Sequence, residues 1–153
     1  MAHFRFRAQV ALDLRRKLDE EARRALADAE REVLNAYRAL SDVEARLDEA
    51  FARARDDERE TVDPARCVWH RNWIKRVQQD VAGWRRVLAD RQAAAHIAKG
   101  HAQQARRRLR SLEKLRDRAW HAWEQDARRQ EQRQLDELGS VRYVQQHRER
   151  GGM

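Results

Sequence analysis

The side chains able to do chemistry are six histidines, one cysteine and a few acidic clusters. The histidines are His3, His70, His96, His101, His121 and His147. A helix that binds zinc places two ligands four apart on one face, as in HExxH, and no two of these histidines have that spacing. They read as solvated surface residues. Cys67 would need an adjacent base and an enclosing fold to act as a nucleophile, and no His/Asn constellation accompanies it. The acidic clusters Asp19-Glu20-Glu21 and Asp56-Asp57-Glu58 could supply a general acid and base only inside a water-excluding pocket. No glycine-rich loop is present to cradle a phosphate. The sequence therefore points to a protein that is not an enzyme and uses no cofactor and no metal.

The remaining functional candidates are aromatic and basic. Trp69 and Trp73 are four apart, so they share one side of a helix. They either flank the packing or form an exposed docking site, where clustered aromatics are natural hot spots. The run Arg106-Arg107-Arg108, with Arg110, Lys114, Arg116 and Arg118, could meet phosphates. A basic coiled-coil protein that binds nucleic acid is thus one alternative. Charge is its sole support, and pairing with the acidic stretch Asp13 to Glu21 explains much of the run.

These residues must be positioned by helices. From about Ala8 to Glu60 nothing breaks a helix, and Ala22, Leu26, Ala29, Val33, Ala36, Leu40, Val43, Leu47, Ala50 and Ala54 alternate steps of three and four. That spacing keeps apolar side chains on one stripe of a supercoiled helix. The only strong break is Thr61-Val62-Asp63-Pro64, with Asp63 fit to cap a helix and Pro64 fit to its first position. A second stripe then runs Ile74, Val77, Val81, Trp84, Leu88, Arg91, Ala95, Ala98, Ala102, Ala105, Leu109, Leu112, Arg116, Ala119 and Trp123. The expected architecture is all-α: a long antiparallel two-helix coiled-coil hairpin forming one domain. Helix 1 spans about 8–60, the turn 61–63 and helix 2 about 64–138. At 1.5 Å per residue the helices measure about 80 Å and roughly 110 Å. Ala8 then lies opposite Arg116 to Arg118, the chain after about Trp120 overhangs, and residues 139–153 are expected to fray from Gly139. Trp84 and Trp123 fall on the stripe, while Leu115, Trp120 and Trp123 are expected to close the open end against Phe4, Phe6 and Val10.

Composition agrees. Of 153 residues, 39% are charged, with one proline and five glycines, too polar a mixture for a compact core but suited to a narrow seam. Residues 1–60 carry 13 basic and 15 acidic residues, whereas 61–153 carry 21 and 11. Unlike charge favours pairing between the halves over self-pairing of the basic one. A lone cysteine fits a reducing compartment. No segment reaches the roughly 18 apolar residues of a membrane span, and a cytoplasmic location without membrane insertion is expected.

Both ends carry a resemblance. The opening Met1-Ala2-x-Phe4-x-Phe6-Arg7, then Leu12-Asp13-Leu14-Arg15-Arg16 and Glu20-Glu21-Ala22-Arg23, resembles the FliJ family, a coiled-coil component of the flagellar type III export apparatus. So do Leu112-Glu113-Lys114-Leu115-Arg116-Asp117-Arg118-Ala119-Trp120 and Gln132-x-x-Leu135-Asp136-Glu137-Leu138. The resemblance implies a stalk, similar to the shaft of rotary ATPases, whose paired termini enter the hexameric export ATPase and promote its assembly. It also implies contacts with the cytoplasmic domain of the export gate and with export chaperones, and peripheral association with the inner membrane through the apparatus. Aligned on Leu135-Asp136-Glu137, the gate-contacting patch falls on Trp73, Val77, Asp80 and Trp84, flanked by Trp69 and His70; Asp80 departs from the small apolar residue of the family. The ATPase-contacting candidates are Phe4, Phe6, Arg118, Trp120, Trp123, Arg128, Arg129, Arg133, Leu135 and Leu138. The equivalent stalk of a virulence injectisome is a rival with the same mechanism and other partners.

Overall fold

The computed structural model describes residues 3–60 and 63–151. Two helices account for nearly all of them, α1 (Gln9–Glu60) and α2 (Pro64–Gly151), packed against each other as an all-α hairpin with no strand among the described residues. Thr61 and Val62, two of the three residues expected to form the turn, lie outside the described residues, as do Met1, Ala2, Gly152 and Met153.

Local chemistry sets the helix starts. Asp63 Oδ1 accepts a hydrogen bond from the Ala65 amide at 3.0 Å, and Asp63 C=O accepts one from the Cys67 amide at 3.1 Å. The carboxylate thereby satisfies one of the four amides that a helix start leaves unpaired, and Pro64 has no N–H to satisfy. α1 opens with the Gln9 amide donating to Phe6 C=O at 3.1 Å. α2 does not stop at Gly139, where the sequence suggests fraying; it continues to Gly151. Gly139 keeps a negative φ, so it forms no left-handed cap. Two local bonds span it or lead up to it, Ser140 Oγ to Asp136 C=O at 2.8 Å and Gln132 Nε2 to Asp136 Oδ1 at 2.9 Å.

The packing divides into two compact units, one formed by residues 17–106 and the other by the described parts of 1–16 and 107–153. In the first, Leu40, Val43, Val77 and Val81 form a buried cluster, with Leu47 and Leu88 packed against it. Every member of the α1 stripe from Ala22 to Ala54 is buried or half-buried. Burying a Val or Leu side chain contributes roughly 1.5–3 kcal/mol, so this narrow seam is the main stabilising element. Ion pairs across the seam join Asp57 to His70, Glu44 to Arg85, Glu32 to Arg91 and Asp19 to Arg106. The α1 number falls as the α2 number rises, which is antiparallel pairing.

Two buried seam positions in this unit are polar, Asp19 and His70. Asp19 is 3% exposed and is held by Arg106 at 3.1 Å and by Arg23 at 3.6 Å. Its Oδ1 has no hydrogen-bond partner among the described residues. Slipping the helices would take Arg106 away from a carboxylate that cannot reach water, so the pair pins the register. Arg106 is the member of the basic run that pairs across the seam. Asp13 and Glu20 of the acidic stretch are engaged within α1, by Gln9 and Arg16 and by Arg24 respectively.

In the second unit Leu12 and Leu109 are buried, and the rings of Phe4 and Trp123 meet with centroids 6.0 Å apart. Gln9 and Arg116 line one shallow cleft, so pairing is antiparallel here as well. The closure expected from four further side chains, Phe6, Val10, Leu115 and Trp120, is smaller than the sequence suggests. Val10 is 83% exposed, and Leu115 and Trp120 are also exposed, because their positions lie off the stripe that carries Leu12, Leu109 and Trp123. From Arg128 to Gly151 every residue is exposed.

Candidate functional site

Near the start of α2, two tryptophans one turn apart can only stack or diverge. Trp69 and Trp73 stack, with centroids 6.1 Å apart and planes 8° from parallel, and both remain exposed. The rings of Trp69 and His70 stand nearly perpendicular, with centroids 5.0 Å apart. His70 itself is buried, contrary to the surface reading of the histidines. It sits four residues before Ile74, in phase with the stripe, and extending the heptad backwards would have found it. Its Nε2 lies 2.6 Å from Asp57 Oδ2, and Arg66 lies 3.5 Å from the same oxygen. The His70 hydrogen bond holds the Asp57 carboxyl below its ordinary range against the opposing effect of desolvation, with Arg66 adding to the lowering.

The other residues of this candidate patch divide. Asp80 is exposed and Trp84 sits at the seam edge, 37% exposed. Val77 is 3% exposed and belongs to the core beside Leu40 and Val43. A partner on this flank of α2 would therefore meet Trp69, Trp73, Asp80 and Trp84 and not the Val77 side chain.

At the paired termini, Phe4 and Trp123 are in contact and Phe6 is half-buried, whereas Arg118 and Trp120 face solvent. A cleft of about 640 Å³ is lined by His3 and Phe4 from the N-terminal segment and by Trp123, Asp126, Ala127, Gln130, Glu131 and Gln134 of α2. Beyond it, Arg128 bonds Glu124 at 2.8 Å and Arg129 pairs with Asp126 at 3.6 Å. Arg133, Leu135 and Leu138 project from the helix with no neighbour from α1 to cover them. The surface here offers a basic, partly apolar helix to whatever surrounds it.

Among the described residues no group of three His, Cys, Asp or Glu side chains is placed to hold a metal ion, and no helix is long and apolar enough to cross a membrane. A family model described as Flagellar FliJ protein matches residues 4–148, nearly the whole chain. No curated protein and no solved structure matches it.

Proposed function

The chain belongs to the FliJ family, non-catalytic components of flagellar type III protein export, and from that premise we propose that it is the stalk of the export ATPase. In this reading its paired termini enter the hexameric ATPase in the cytoplasm, promote ring assembly and turnover, and link the ring to the export gate and the substrate chaperones. The observation that carries the reading is the stretch Arg128–Gly151, helical throughout and exposed at every residue. A helix this polar has no core to join within the chain. Charged side chains that re-form contacts suit a ring channel better than a broad apolar interface would. Phe4, Phe6, Trp120 and Trp123 with Arg118 would sit at the channel mouth. Arg128, Arg129, Arg133, Leu135 and Leu138 would lie deeper.

The gate-binding surface is assigned to Trp69, Trp73, Asp80 and Trp84, since a stacked indole pair offers a rigid apolar platform at low entropic cost. The test of the stalk reading is ATP turnover by the cognate export ATPase with the full chain and with a chain ending at Trp123. Loss of stimulation with the shorter chain supports the stalk, and full stimulation overturns it. Pull-down of the gate's cytoplasmic domain by Trp73→Ala, compared with the unaltered chain, tests the second surface separately.

A further inference from the structure

The flank of the hairpin turned away from the tryptophan stack carries a second, differently built surface. Cys67, Arg71, Ile74, Lys75 and Gln78 of α2 recur at helical spacing, and Phe51, Ala54, Arg55 and Glu58 of α1 do the same. Together they line a groove of about 560 Å³, with His70 at its floor. At 100° per residue Trp69 and Trp73 lie about 200° around α2 from Cys67 and Arg71, so the two surfaces do not overlap. Apart from His70 the floor is apolar: Ala54, Cys67 and Ile74 are half-buried, and the Phe51 ring is left 40% exposed.

The charges lining this groove are mostly cationic. Elsewhere in this unit some of the flanking cations reach across to carboxylates, as Arg66, Arg85, Arg91 and Arg106 do. Arg55, Arg71 and Lys75 make no ion pair among the described residues, and Glu58 is the only carboxylate among the described residues that line the groove. Three unpaired cations around an apolar floor call for an occupant with an apolar stripe and acidic edges.

We propose that this groove is a docking site for an acidic amphipathic helix of a partner protein, which packs between α1 and α2 as a third strand of the coiled coil. The dimensions fit. The lining from Cys67 to Gln78 covers three turns, about 16 Å, and a helix of about twelve residues laid in the cleft would cover Phe51 and Ile74 with its apolar stripe. Glutamates or aspartates at its edges would then face Arg55, Arg71 and Lys75, which fixes its orientation and excludes basic helices.

Cys67 is the chain's single cysteine and lines the groove, so its alkylation rate reports occupancy. The experiment uses the full chain and two synthetic sixteen-residue amphipathic helices with the same Leu/Ala stripe, one with glutamate edges and one with lysine edges. The expected result is at least a threefold slowing of Cys67 alkylation by the acidic peptide and none by the basic one. Charge reversal by Arg71→Glu with Lys75→Glu is expected to abolish the protection, with helicity followed by circular dichroism. If that double variant loses helicity, Arg55→Gln alone must weaken protection measurably. Equal protection by both peptides, no protection by either, or protection that survives charge reversal overturns the proposal. So does slowing by polyglutamate lacking an apolar stripe, which would mark a general anion site. Slowing that rises with protein concentration in the absence of peptide would mark a second copy as the occupant, and likewise overturns it.

Discussion

The stretches His70–Leu88 and Arg128–Gly151 belong to the same helix, and their fates differ. Both carry apolar residues, but the first places them at Ile74, Val77, Val81, Trp84 and Leu88, in steps of three and four. The second places them at Leu135, Leu138, Val141 and Val144, in steps of three alone. Each step of three turns the side chain by about 300°, so four such residues spread over half the helix surface and form no stripe. Val77 and Val81 are consequently buried while all four of the others are exposed. Spacing, more than apolar content, decides which part of α2 finds a partner within the chain. The part without a seam remains available to an outside one.

The comparison is most severely tested in the core. Val43→Ala should cost about 2 kcal/mol and lower the thermal midpoint read by circular dichroism, whereas Leu138→Ala should leave that midpoint unmoved. Equal effects would mean that the exposed stretch is packed after all. Arg106→Ala should cost about 1–2 kcal/mol, because it leaves the buried Asp19 carboxylate without its cross-helix cation. Replacing both residues by Leu should recover that loss in chemical denaturation.

Gly139→Ala sharpens the other side of the contrast. A Cβ there meets nothing within 4 Å, so the change should favour local helix by roughly 1 kcal/mol. Slower amide exchange around residue 139, with the core midpoint unchanged, is the expected readout. The smallest effect is that of acid on the His70–Asp57 pair. Asp57 is depressed in the folded chain, so the stability it contributes is present above the unfolded carboxyl range and is lost as pH falls through the folded value. Below about pH 4 the midpoint of the unaltered chain should drop more than that of Asp57→Asn.

The sequence made the hairpin legible because a heptad repeat states its packing face directly. The cap at Asp63-Pro64 could be read for a similar reason, since it depends on two adjacent residues and no distant one. The candidate surfaces were harder. Trp69 and Trp73 could be placed on one side of α2, but not shown to stack. His70 looks like a surface residue in the sequence because the apolar stripe declares itself only from Ile74, one step later. The docking groove is not legible in the sequence because no single helix contains it; it exists only where Phe51 and Arg55 come beside Cys67 and Arg71.

By itself, then, the chain determined two helices, the face each would bury and the point at which they part, all of which follow from periodicity and local capping. The tertiary structure decided which charged residues became partners. Asp19 lost its water to Arg106, Asp57 took up His70, and Arg55, Arg71 and Lys75 were left unpaired around an apolar floor. Such outcomes depend on which atoms lie within about 4 Å across the seam, and at that distance a one-residue change of register exchanges an ion pair for an unmatched charge.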